Sequence, residues 1–139
     1  MQILITVLVV DDSPEWRNVM RVVVDRMPRL RILAEAADGV QAVEKAQALK
    51  PDMVLLDIGL PRLNGIEVAR HIIRISPKCK IVFVTEQRDY EVITESLRAG
   101  GMAYVVKCDA NSDLPIALAA ALEGVQFFSQ TLSSFSLQT

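Results

Sequence analysis

The sequence predicts an α/β fold, a doubly wound five-stranded parallel sheet with helices on both faces, and three observations predict it. Short runs rich in Val, Ile and Leu recur along the 139 residues, mostly without polar alternation, as strands covered on both faces require. Between them lie amphipathic stretches bounded by helix caps and breakers. The two kinds alternate, and a right-handed crossover through a helix returns the chain to the same sheet each time.

The first strand is Ile3 to Val10, and it runs straight into Asp11 and Asp12. Ser13 then Pro14 is a helix start, and Trp16, Val19, Met20, Val23 and Met27 fill one stripe of the first helix. Leu30 to Ala36 is more mixed, with Arg31 and Glu35 interrupting Ile32, Leu33 and Ala34. That suits a second strand near a sheet edge, beside the first. The second helix follows Asp38 and ends before Pro51. Met53 to Leu56 is the third strand, and the third helix follows Asn64, turns Val68, Ile72 and Ile75 inward and stops before Pro77. Ile81 to Val84 is the fourth strand.

The fourth helix, Asp89 to Ala99, has only a thin stripe of Ile93 and Leu97 before the Gly100-Gly101 stop, so it is weakly anchored and movable. Met102 to Val106 is the fifth strand. The fifth helix, about Asp113 to Gly124, carries Leu114, Leu118 and Leu122 one turn apart, with Pro115 in the tolerated first turn. The strand order 2-1-3-4-5 of flavodoxin-like (βα)5 sandwiches accommodates this succession. Residues 1–125 form one domain. The tail 126–139 holds Phe127, Phe128, Leu132, Phe135 and Leu137 without a clear period and reads as a docked extension or a truncated linker.

Composition narrows the function. The chain holds one core and is too short for two ordinary domains. Lys and Arg total 15 against 17 for Asp and Glu, which leaves no basic excess to neutralise a nucleic-acid backbone. The mean hydropathy of +0.30 belongs to buried strands, because every apolar run is broken well before the ~18 residues of a spanning helix. The first residues show no charged lead or small-residue cleavage site, and Cys79 and Cys108 are too few for a disulfide framework. A cytoplasmic location is expected.

In a doubly wound sheet, ligands bind beyond the carboxyl ends of the strands, where the strand order reverses. Those ends carry Asp11-Asp12, Asp57, Thr85 and Lys107. Taken singly, each has a plain structural explanation: a helix cap before Pro14, a strand-end Thr, a snorkelling Lys. Jointly they do not, since four strand ends would independently have to offer complementary chemistry at one rim. Three clustered carboxylates repel one another unless a cation shares the site, and a hard divalent ion with oxygen ligands, Mg²⁺, is implied. A carboxylate can attack phosphorus when metal and Lys neutralise the equatorial oxygens. Asp57, alone at its strand end, is the candidate nucleophile. His71, the only histidine, lies mid-helix away from the rim and receives no role.

Four segments carry a resemblance: VLVVDDS (7–13), MVLLDIGLPRLNG (53–65), IVFVTE (81–86) and GMAYVVKCD (101–109). Residues 4 to about 125 resemble the receiver domain of bacterial two-component response regulators in order and spacing. The segments 97–107 and 124–129 are most similar to the LuxR/NarL class, whose receivers normally precede a helix-turn-helix domain absent from this chain.

The resemblance implies that Asp57 accepts a phosphoryl group, and that Asp12 and the Gly59 carbonyl join it around Mg²⁺ with Asp11 helping through water. It implies that Lys107 pairs with the phosphoryl group, Thr85 senses it, and Tyr104 turns inward in response. Phosphorylation would then alter the surface of helix 4, strand 5 and helix 5 for partner binding or transcription regulation. The expected partners are a sensor histidine kinase or phosphotransfer protein and a second copy through that surface. DNA would be met only through the absent output domain, and no membrane is involved.

One residue departs from the family pattern: Glu86, where a small residue is usual, sets a carboxylate near the path of an anionic donor. By the same resemblance, Gly59 and Gln87 hold positions that in this family tune how water reaches the aspartyl phosphate. An aspartyl-phosphate-forming phosphatase would need a second carboxylate where Gly59 stands, so no enzyme activity beyond self-catalysed phosphoryl transfer and autodephosphorylation is expected. The alternative is a phosphate-independent pseudo-receiver, an interaction module of the same fold.

Overall fold

A computed structural model describes residues 3–129 and Leu132. Five strands and five helices alternate in the expected succession: β1 (Ile5–Val10), α1 (Pro14–Asp25), β2 (Leu30–Ala36), α2 (Gly39–Leu49), β3 (Met53–Leu56), α3 (Gly65–Ile75), β4 (Lys80–Thr85), α4 (Tyr90–Arg98), β5 (Gly101–Val106) and α5 (Ala110–Leu122). A sixth strand, β6 (Phe127–Phe128), follows. The sheet order is β2-β1-β3-β4-β5-β6 and every pairing is parallel.

The side-chain alternation of the central strands sorts the interior into two layers. Val7, Val9, Met53, Leu55, Val82, Val84, Ala103 and Val105 face α1 and α5. Leu8, Val10, Val54, Leu56, Ile81, Phe83, Tyr104 and Val106 face the opposite way, against α2, α3 and α4. Burial on both faces explains why these strands read as unbroken apolar runs.

The caps work as the residue types suggest. Ser13 Oγ accepts from Trp16 N, Asp38 Oδ1 from Gln41 N, and Asn64 Oδ1 from Ile66 N and Glu67 N. Helix α4 has only Ile93 and Ser96 buried and lacks a side-chain cap bond at Asp89, in keeping with its thin apolar stripe.

Three expectations are corrected. The sheet has six strands, because Phe127 and Phe128 pair with Ala103 and Tyr104 on the outer edge of β5. Strand β1 begins at Ile5, leaving Ile3 and Leu4 exposed. Helix α5 begins at Ala110, since a 3-10 turn, Lys107–Asp109, runs directly into it, so Pro115 lies beyond the first turn. Phe135 and Leu137 of the tail lie outside the described residues.

Candidate functional site

Four strand ends meet at one rim. Asp11 directly follows β1 and Asp57 directly follows β3, while Thr85 ends β4 and Lys107 opens the turn after β5. The backbone ties the first two together, since Asp57 N donates to Val10 O at 3.1 Å. The loop after Asp57 is held by Gly65 N donating to Ile58 O at 2.8 Å. Gly65 is required by close approach: a Cβ there would lie 2.1 Å from the Asp57 carbonyl oxygen. The chain therefore passes α3 against the strand end only because position 65 has no side chain.

Asp11 is fully buried, Asp57 nearly so, and Asp12 exposed. Asp11 Oδ1 accepts from Ser13 N at 2.9 Å. The Lys107 ammonium lies 2.9 Å from Asp11 Oδ2 and donates to Asp57 Oδ2 at 3.2 Å. The Asp11 contact is close but badly angled, so Asp11 Oδ2 is buried without a properly formed hydrogen bond. Burial pushes the Asp11 carboxyl up, Lys107 and the Ser13 amide pull it part of the way back, and the Asp57 charge adds to the rise. Burial alone would lower the Lys107 ammonium, but Asp11 and Asp57 outweigh it and hold Lys107 above the ordinary lysine value.

One carboxylate oxygen each from Asp11, Asp12 and Asp57 lies within 4.8 Å of the others. Three hard oxygen donors, one of them buried with unused acceptor capacity, fit a divalent cation such as Mg²⁺. The rim encloses a cavity of about 380 Å³, open to solvent, with Asp12, Gly59, Thr85 and Lys107 in its lining and Glu86 at its mouth.

Thr85 is buried, and its Oγ1 lies 3.4 Å from Gln87 N. Tyr104 is fully buried with its ring turned inward against Phe83, 6.2 Å between centroids, and its hydroxyl donates to Gln87 O at 2.9 Å. Thr85 and Tyr104 are therefore joined through one residue, Gln87. Burial pushes the Tyr104 phenol well above its ordinary value, and the charges of Asp89 and Asp57 add to that, so it remains a donor. His71, half-buried on α3, stands apart from the rim.

Residues at the start of α1 were missed in the sequence as part of the rim, Glu15, Trp16 and Arg17 among them. Trp16, counted there as one of a core stripe, also lines the cavity, with its ring 5.0 Å from the Lys107 ammonium. Arg17 donates to the Asp11 carbonyl at 2.7 Å and pairs with Glu35 of β2 at 3.2 Å. Position offered a signal for them, since the first turn of the helix after an acidic strand end abuts the rim.

The sequence profile of the response regulator receiver domain matches residues 7–119. An uncharacterised transcriptional regulatory protein of Bacillus subtilis is 35% identical over 124 residues, covering 89% of this chain and 57% of that protein. The nitrate/nitrite response regulator NarL of Escherichia coli is 30% identical over 128 residues, covering 92% of this chain and 59% of that one. The crystal structure of a LuxR-family two-component response regulator from Aurantimonas superposes with a TM-score of 0.88 at 30% identity, covering 95% of this chain and 94% of that chain. The chain thus spans under three-fifths of the length of either curated relative. Among the described residues no helix is long and apolar enough to cross a membrane.

Proposed function

Because the chain belongs to the response regulator receiver family and resembles its LuxR/NarL members, we propose that it is a phosphorylation switch with Asp57 as its acceptor. The observation that carries this reading is the Lys107 ammonium set between Asp11 and Asp57 beside three carboxylates able to share one cation. Asp11, Asp12 and Asp57 would hold Mg²⁺ together with the Gly59 carbonyl. When bound, the ion offsets the charge of phosphoryl oxygens that three carboxylates would otherwise repel.

An Asp57 carboxylate oxygen forms the new O–P bond as the bond from phosphorus to the donor's leaving atom breaks, and the bonding pair departs with the leaving group. With an acyl phosphate the leaving group is a carboxylate, and no proton is consumed. Lys107 shifts from carboxylate to phosphoryl oxygens, and the Thr85 hydroxyl turns toward the same group. The Thr85, Gln87 and Tyr104 contacts then carry the change to the loop before α4, the helix with the fewest buried side chains.

The physiological donor is a sensor histidine kinase or phosphotransfer protein, and the surface of α4, β5 and α5 meets the partner, a second copy included. Since β6 occupies the outer edge of β5, docking there uses side chains of α4 and α5 rather than strand addition. Regulation of transcription would pass through a DNA-binding domain joined to this one.

Intact mass after incubation with Mg²⁺ and acetyl phosphate tests the reading. One phosphoryl group is expected on the wild type and none on Asp57→Asn. Glu86, exposed at the cavity mouth, favours a second reading, a pseudo-receiver that binds partners without phosphorylation. An unchanged mass together with retained partner binding would select it.

A further inference from the structure

Lys107 has a neighbour besides the carboxylates. Its ammonium lies 5.0 Å from the centroid of the Trp16 ring, within reach of a cation–π attraction. The indole is half-buried, packed on one side against the core layer of α1 and α5 and open on the other to the cavity. It is also tied to the acidic strand end. Ser13 donates its amide to Asp11 Oδ1 at 2.9 Å, and its hydroxyl accepts from Trp16 N at 3.3 Å. Lys107 returns to Asp11 at 2.9 Å. Asp11, Ser13, Trp16 and Lys107 thus close a ring of contacts around the start of α1.

We propose that Trp16 is a positioning residue for phosphoryl transfer, its indole face keeping the Lys107 ammonium in the site while that ammonium exchanges carboxylate for phosphoryl oxygens. This rests on the reading of Asp57 as acceptor. A lysine stem is flexible and its ammonium strongly hydrated, so a Lys107 released from Asp57 would otherwise turn toward water. The ring face takes none of the three N–H donors and asks for no fixed hydrogen-bond angle. Its attraction therefore persists while the hydrogen-bond partners change. A leucine at position 16 would keep the apolar packing and lose this attraction; a phenylalanine would keep a ring face.

Trp16→Leu and Trp16→Phe separate packing from the ring face. In the reaction with acetyl phosphate, an Asp57 oxygen bonds to phosphorus as the phosphorus–acetate bond breaks and its electron pair leaves as acetate. Phosphorylation of the Leu variant, followed by intact mass with Mg²⁺, is expected to be about five-fold slower or more, with the Phe variant within about two-fold of wild type. A Leu variant as fast as wild type, or a Phe variant as slow as Leu, overturns the proposal.

The wild type supplies a test that needs no change at position 16. Trp16 is the sole tryptophan, so Lys107→Ala should shift its emission in the unphosphorylated protein, whereas phosphorylation of Asp57 should shift it less, because the ammonium stays at the ring. An emission change on phosphorylation as large as that of Lys107→Ala would mean that the ammonium leaves the ring, and overturns the proposal. An unchanged mass would sink the acceptor reading instead. The Lys107→Ala spectrum decides the indole contact in either case, and an unaltered spectrum refutes it.

Discussion

At the scale of single residues, the site depends on what is missing as much as on what is present. Gly65 lets α3 approach the Asp57 carbonyl to a distance no side chain permits. Gly65→Ala must therefore push the acceptor loop away. It is expected to destabilise the fold by about 2–3 kcal/mol, the upper range for forced overpacking, and to slow phosphorylation as well, measured by urea denaturation and intact mass. Glu86 is exposed and lines the cavity, so its carboxylate would act on an anionic donor mainly through charge. Glu86→Ala should speed phosphorylation by acetyl phosphate by about two- to five-fold at low ionic strength, with the gain shrinking as salt rises. A gain independent of salt would contradict that account.

The carboxylates and the lysine were legible in the sequence because each stands at a strand end, and chain order alone sends those ends to one rim. Trp16 was legible only through its place in the first turn after the acidic strand end, because a helical stripe gives the same spacing whether a ring faces the core or lies half across a cavity edge. The near-complete burial of Lys107 was not legible, since it depends on how α1 packs across the rim.

At the scale of elements, the fold was legible wherever caps and periodicity agreed, and least so at α5 and β6. A two-residue strand has no period. Ser129 fixes it from just beyond, since its amide donates to Tyr104 O at 3.0 Å and its hydroxyl accepts from Val106 N at 2.7 Å. Both bonds are specific to the folded edge of β5. Ser129→Ala would leave the Val106 amide buried and unpaired, and the expected loss is about 1–3 kcal/mol, read from the denaturation midpoint.

The opposite edge is tied by charge. Glu35 of β2 receives hydrogen bonds from Arg21 of α1 at 2.8 and 2.9 Å, with Arg17 nearby. Arg21 first, and Arg17 with it, lowers the Glu35 carboxyl below its ordinary value of 4.5, although burial opposes them. A carboxyl lowered on folding stabilises the fold above its ordinary pKa, and that contribution is lost as pH falls through the folded value. Glu35→Gln should therefore be slightly less stable than wild type near neutrality and match it once Glu35 is protonated. The effect is small because the pair is open to water. Paired denaturation series across acidic pH check both the sign and the window.

At the scale of the whole molecule, cation binding at the rim would be linked to folding, since the three carboxylates come within 4.8 Å of one another in the folded chain. Mg²⁺ at a hundred times its dissociation constant should add about 2.7 kcal/mol of stability. Asp12→Asn, a change at an exposed position, should remove most of that gain while leaving the metal-free protein folded. Thermal denaturation with and without Mg²⁺ reads both outcomes, and an equal gain in the variant would show that the ion binds elsewhere.

The β6 pairing also bears on how crowded copies of the molecule behave. A sheet ending at β5 would present the open backbone of a strand that is almost wholly apolar, a template on which another chain could grow. With β6 in place, the two outermost strands are a two-residue segment and β2, which carries Arg31 and Glu35. Neither is a good seed for fibre growth. The short pairing after α5 thus guards a concentrated solution of this protein against strand-on-strand growth at the β5 edge, while leaving the helix surfaces free to meet a partner.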